Sequence, residues 1–91
     1  MGKLNGRVAI VTGAAQGIGE AISRAFIESG ARVVMTDVKA DQGRSLASQL
    51  GDGAHFIEQD VSICESWRDV VKESERVFGS VDILVNNAGI V

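Results

Sequence analysis

The sequence predicts an α/β fold: four parallel strands alternating with three helices, the first half of a doubly wound sheet with spatial strand order 3-2-1-4. Three observations carry this reading. Short β-branched runs alternate with stretches of helical periodicity along the whole chain. The strand runs are apolar on both faces, as strands buried between helix layers are. The connections are only a few residues long, with no linker, repeat or low-complexity tract, and such βα units close into a parallel sheet by right-handed crossovers. With 91 residues in all, the chain is expected to be the N-terminal part of one domain, without a second.

The first strand is predicted over Arg7-Val8-Ala9-Ile10-Val11-Thr12. Ile18, Ala21, Ile22, Ala25 and Phe26 then recur at helical spacing, and Gly30 is placed to end that helix in a left-handed conformation. Arg32 to Asp37 reads as the second strand, and Gly43, Leu46, Ala47 and Leu50 as a weaker helical stripe ended by Gly51. The third strand is predicted over Ala54 to Asp60, centred on Phe56-Ile57. Ser62-Ile63-Cys64-Glu65 fits a capping box, in which hydroxyl and carboxylate satisfy free helix amides reciprocally. It opens a helix with Ile63, Trp67, Val70, Val71, Val77 and Phe78 on its apolar face and Gly79 as its stop. Val81 to Asn86 is the fourth strand. Successive crossovers of one hand place both early helices on one sheet face. The other face is left to the third helix, with the fourth strand as an apolar edge.

Composition removes several function classes. Nine Lys and Arg against twelve Asp and Glu leave a net charge of −3, so no nucleic acid and no anionic membrane surface is expected as the main partner. The single cysteine, Cys64, has no partner for an internal disulfide, and no Cys/His cluster suggests a metal. The longest early apolar run, Val8 to Val11, is too short for a signal peptide or a membrane span. A cytoplasmic protein is therefore expected. His55, Cys64 and Trp67 read as solvated or packing residues.

The informative segment is Thr12-Gly13-Ala14-Ala15-Gln16-Gly17-Ile18-Gly19, between the first strand and the first helix. Glycines there let backbone approach a ligand where a Cβ would collide, and the helix start offers free N–H groups to a pyrophosphate. A plain glycine-rich βα turn is the bland alternative. The spacing is Gly-x-x-x-Gly-x-Gly and no nucleoside-triphosphate P-loop motif occurs. Asp37 ends the second strand, where a carboxylate can accept hydrogen bonds from both hydroxyls of an adenosine ribose. A 2′-phosphate at ~5 Å would be repelled by ~3 kcal/mol per unit charge pair at an effective dielectric of ~20. NAD is thus expected over NADP. Asp37 opening the following turn is the simpler alternative, and a methyl-donor-binding domain is the runner-up within the fold class.

Asn86-Asn87-Ala88-Gly89 supplies a second signature. Together with Thr12-Gly-x-x-x-Gly17-Ile18-Gly19 it resembles the short-chain dehydrogenase/reductase family, which has a Rossmann-type sheet. The resemblance implies that Gly13, Gly17 and Gly19 hold the pyrophosphate with Gln16 and Ile18 beside it, and that Asp37 takes the adenosine ribose. It implies Asp60 on the adenine amino group, the Val61 amide on the ring, and Asn87, Ala88 and Gly89 along the path to the nicotinamide. Asn86 is expected to be structural, tying the fourth strand to the Thr12 hydroxyl, while Asp60 as a plain turn residue stays open. The family's reaction uses a Ser, a Tyr and a Lys four residues after the Tyr. This chain has no tyrosine, so no catalytic residue is assigned within it. The resemblance implies an NAD-dependent oxidoreductase acting on a secondary alcohol or ketone, hydroxysteroid-like substrates included, and a homo-oligomer when complete. The alternative is a non-catalytic nucleotide-binding or interaction module.

Overall fold

A computed structural model describes residues 2–88. Seven elements follow in the predicted order: β1 (Val8–Thr12), α1 (Gly17–Glu28), β2 (Arg32–Asp37), α2 (Ala40–Leu50), β3 (Ala54–Glu58), α3 (Cys64–Val77) and β4 (Ile83–Val85). All pairings are parallel and the sheet order is β3-β2-β1-β4, as the alternating pattern predicts. Every residue of β1 is buried, because it has a strand on each side and a helix layer on each face.

The two faces carry unequal cores. Ala9, Val11, Val33 and Met35 pack beneath Leu46 and Ala47 of α2, with Ile22, Phe26 and Ile27 of α1 closing the same cluster. Ile10 and Val34, on the opposite face, meet only Val70 of α3 with Ile57, Phe78 and Val81 around it. Leu84, level with Ile10 in the register, is 56% exposed, and Val71 of α3 is also exposed.

Three sequence expectations are corrected. The stripe that α1 turns inward is Gly19, Ile22, Ser23, Phe26 and Ile27, whereas Ala21 and Ala25 are exposed and Ile18 is 71% exposed. Small residues face the sheet because the helix axis comes close: a Cβ on Gly19 would overlap the carbonyl of Gly13. Ser23 is buried without loss because its hydroxyl donates to the Gly19 carbonyl at 2.9 Å. The capping box does not form. The N-cap of α3 is Ile63, without a side-chain cap, and the Ser62 hydroxyl donates to Asp60 Oδ1 at 2.6 Å, a charge-assisted bond that turns it toward the carboxylate and away from the helix amides. Ile63 itself is 53% exposed and off the core. The strands are shorter than predicted: Asp60 leaves the ladder to accept Ser62 and Ile63. Asp82 stands just before β4: its N–H donates to Val8 O at 2.8 Å, while its carboxylate takes the Val8 N–H at 2.9 Å.

The glycine stops stand as expected. Gly30 has φ +94°, its N–H donates to Ile27 O and the next N–H, of Ala31, to Phe26 O, the Schellman pattern. Across the far edge, Glu73 of α3 lies between Arg76 (2.6 Å) and His55 (3.3 Å). The Arg76 guanidinium holds its carboxyl well down, to about 2. Among the described residues no helix is long and apolar enough to cross a membrane.

A strand edge with exposed apolar neighbours is a template for association. The isolated 91-residue chain is therefore expected to elute from size-exclusion chromatography ahead of a monomer and to melt broadly. A sharp cooperative melt from a monomeric peak would overturn that expectation.

Candidate functional site

The glycine turn crosses the C-terminal end of the sheet, where ligands of open α/β folds bind. Gly13 (φ +63°) and Gly17 (φ +62°) both have left-handed backbone, which reverses the chain between β1 and α1. The turn is fastened to β2 behind it. Ala14 N–H donates to Thr36 O at 3.0 Å, and Ala15 N–H donates to Asp37 Oδ2 at 3.0 Å. Asp37 Oδ1 accepts the Lys39 N–H at 3.0 Å. Asp37 thus organises its own turn, and each carboxylate oxygen keeps a further lone pair.

The glycines differ in what they face. A Cβ on Gly17 would meet nothing within 4 Å, whereas one on Gly19 would strike Gly13 O. Gly17 fits approach by a ligand from outside; buried Gly19 serves the packing of α1 onto the turn. Gln16 is the N-cap of α1 without a side-chain cap bond. Its side chain reaches sideways to Gln42 on α2 at 3.4 Å, so the first N–H groups of α1 stay open beside Gly17 and exposed Ile18.

The segment after β4 closes onto the same turn. Thr12 is fully buried. Its hydroxyl accepts the Ala88 N–H at 3.0 Å and lies 3.2 Å from Asn86 Oδ1 and 3.4 Å from Val85 O. Its single proton serves one of those oxygens at a time. Asn86 is the structural tie predicted for it. Asn87 Nδ2 donates to Gly13 O at 3.2 Å, and a Cβ on Gly13 would press on that amide and on Ala88. Gly89 lies outside the described residues.

After β3, the Asp60 carboxylate accepts Ser62 N–H at 2.9 Å and Ser62 hydroxyl at 2.6 Å, both on Oδ1. These bonds, the hydroxyl first, hold its pKa below the ordinary carboxylate range. It remains ionised and acceptor-only well into acid. Gly13, Asp37, Asp60, Val61 and Ala88 come together around a cavity of about 180 Å³, joined by Val38 and Gln59. Sequence reasoning missed these last two. Gln59 carries no motif signal, and Val38 is distinguished only by following Asp37. The cavity is smaller than a whole-ligand pocket and suits one end of a dinucleotide.

A larger, open groove of about 530 Å³ lies elsewhere, between α2, the start of β3 and the end of α3, and includes Arg44, His55 and Phe78. It is at the opposite end of the strands from the glycine turn, so the smaller cavity is the functional candidate. Among the described residues, no three His, Cys, Asp or Glu side chains gather as a metal site.

Comparison with known proteins agrees with this fold. A family model described as short chain dehydrogenase matches residues 7–91. Zerumbone synthase of Zingiber zerumbet is 42% identical over 90 residues, covering 97% of this chain and 34% of its own length. The 3-alpha-(or 20-beta)-hydroxysteroid dehydrogenase of Mycobacterium tuberculosis is 39% identical over 90 residues, covering 99% of this chain and 35% of that protein. A crystal structure described as short-chain dehydrogenase/reductase SDR:Glucose/ribitol dehydrogenase, from Brucella melitensis, superposes with a TM-score of 0.86 at 32% identity. It covers 90% of this chain and 36% of that one. The chain spans about a third of the length of the proteins it matches.

Replacing Thr12 with the isosteric Val leaves the Ala88 N–H without its acceptor. Thr12→Val is expected to lower stability by about 1–3 kcal/mol in urea unfolding. A change below ~0.5 kcal/mol, the range of ordinary surface substitutions, would show that the hydroxyl does not hold the tail.

Proposed function

The chain belongs to the short-chain dehydrogenase family of oxidoreductases, and we propose that it is the NAD(H)-binding portion of an enzyme acting on a secondary alcohol or ketone. One observation carries the reading. The cavity joins Gly13, Asp37, Asp60, Val61 and Ala88, residues from the ends of all four strands, beside a Gly17 whose missing side chain leaves open space. A bound nicotinamide cofactor accepts or delivers the hydride of such a reaction. This chain's own residues bind and orient it. The free N–H groups at the start of α1 receive the pyrophosphate beside Gly17, with Gln16 and Ile18 flanking and Gly13 and Gly19 shaping the turn. Asp37 takes the ribose hydroxyls on its remaining lone pairs. Asp60 and Val61 meet the base, while Asn87 and Ala88 line the way to the nicotinamide.

No proton carrier of the Tyr type is supplied by this sequence, which has no tyrosine. Its contribution is cofactor binding. The hydroxysteroid dehydrogenase among its relatives supports a hydroxysteroid-like substrate class. Assembly into a homo-oligomer belongs to the same proposal.

Asp37 should make the site prefer NAD. A 2′-phosphate beside that carboxylate costs about 3 kcal/mol, roughly a hundredfold in affinity. Isothermal titration of NAD and NADP into the full-length protein carrying this chain is the test. Asp37→Asn should narrow the gap by removing the charge, and Gly17→Val should abolish binding of both. Equal dissociation constants in the parent protein, or normal binding by Gly17→Val, would overturn the assignment.

A further inference from the structure

The wall of the cavity formed by Asp60 and Val61 is fixed from behind by the start of α3. The Asp60 carbonyl accepts the Ile63 N–H at 3.1 Å and lies 3.0 Å from the Ser66 hydroxyl. The next carbonyl, of Val61, accepts the indole N–H of Trp67 at 3.1 Å. A trans peptide is planar, with its N–H opposite its C=O. Clamping the Asp60 carbonyl toward α3 therefore turns the Val61 N–H the other way. That N–H has no acceptor among the described residues, and Val61 lines the cavity. Clamping the Val61 carbonyl on Trp67 likewise aims the Ser62 N–H at Asp60 Oδ1, 2.9 Å away. Oδ2 of Asp60 is then left for other donors.

Ser66 is held in its donor role by its neighbour. Gln59, 3% exposed, donates Nε2–H to Ser66 Oγ at 3.2 Å, so the hydroxyl proton goes to a backbone carbonyl. That proton serves one of two carbonyls at a time, Ile63 O at 2.6 Å or Asp60 O at 3.0 Å. Among the described residues Gln59 Oε1 is buried without a partner.

We propose that Trp67 is a positioning residue of the cofactor site. Its indole N–H, with Ser66, sets the Val61 N–H donor and the Asp60 acceptor side by side as a reader of the adenine edge. That pair complements adenine, which offers an acceptor at ring N1 and a donor at the amine. Hypoxanthine offers the reverse, a donor at N1 and an acceptor oxygen. The inference rests on the cavity being the adenine pocket proposed above.

The test compares dissociation constants of the full-length protein for NAD and for nicotinamide hypoxanthine dinucleotide. The unaltered protein should prefer NAD. Trp67→Phe keeps the ring and loses the N–H. It should reduce that preference by about fivefold, the worth of one hydrogen bond, mainly by weakening NAD. A packing role alone moves both constants together, and an unchanged ratio would overturn the proposal. Should Trp67→Phe not fold, Ser66→Ala should narrow the ratio and Ser66→Thr restore it. A parental ratio in Ser66→Ala would equally overturn it. Absence of any preference in the unaltered protein would instead remove the adenine-pocket reading itself.

Discussion

The cofactor end of this sheet depends on one buried hydroxyl. Thr12 closes β1 with its side chain fully buried, and it takes the Ala88 N–H from 76 residues further along the chain. The contact is needed because the turn that follows is costly to order. Two left-handed glycines, Gly13 and Gly17, lose more conformational freedom on folding than any other residue would. The loss is offset by bonds on the inner side of the turn: Ala14 and Ala15 N–H to β2 and its Asp37, and Gly13 O from Asn87. Thr12 keeps the Asn87 segment within reach. Without it, the last tie from β4 to the turn has nothing to register against.

The outward side is left unsatisfied by the same arrangement. Gln16 leaves the start of α1 uncapped, Gly17 leaves space, and the Val61 N–H faces away from its clamp. Both signatures of the family therefore act on one turn, the first by forming it and the second by pinning it from beneath. This division explains why Asp37 can hold the Ala15 N–H and still serve a ribose: a carboxylate has about four acceptor positions.

The alternation of strand and helix, the sheet order and the glycine stops were legible in the sequence, because period and punctuation are local signals. The asymmetry of the two faces was legible as well, since it follows from crossover handedness. The face that α1 buries was legible only at Ile22 and Phe26. Gly19 and Ser23 are chosen for close approach, and apolar periodicity does not register residues buried for smallness. Ser74 on α3 repeats the device, buried with its hydroxyl on Val70 O at 2.7 Å. The capping box failed for another reason: donating to Asp60 turns the Ser62 hydroxyl away from the helix amides, and Asp60 lies outside the four-residue motif. Ser66 and Trp67 escaped the reading because each acts through another residue's backbone, and Gln59 because it acts through the Ser66 hydroxyl.

The central claim is that the glycine turn, Asp37 and the Asp60–Val61 wall form one dinucleotide site. A crystal structure of the full-length protein with NAD bound tests it most directly. The account predicts the pyrophosphate against Gly17 and the start of α1, the adenosine ribose on Asp37, and the base between Val38 and Val61. A dinucleotide seated in the groove of Arg44 and His55, or one that leaves Asp37 and Gly17 untouched, would contradict it.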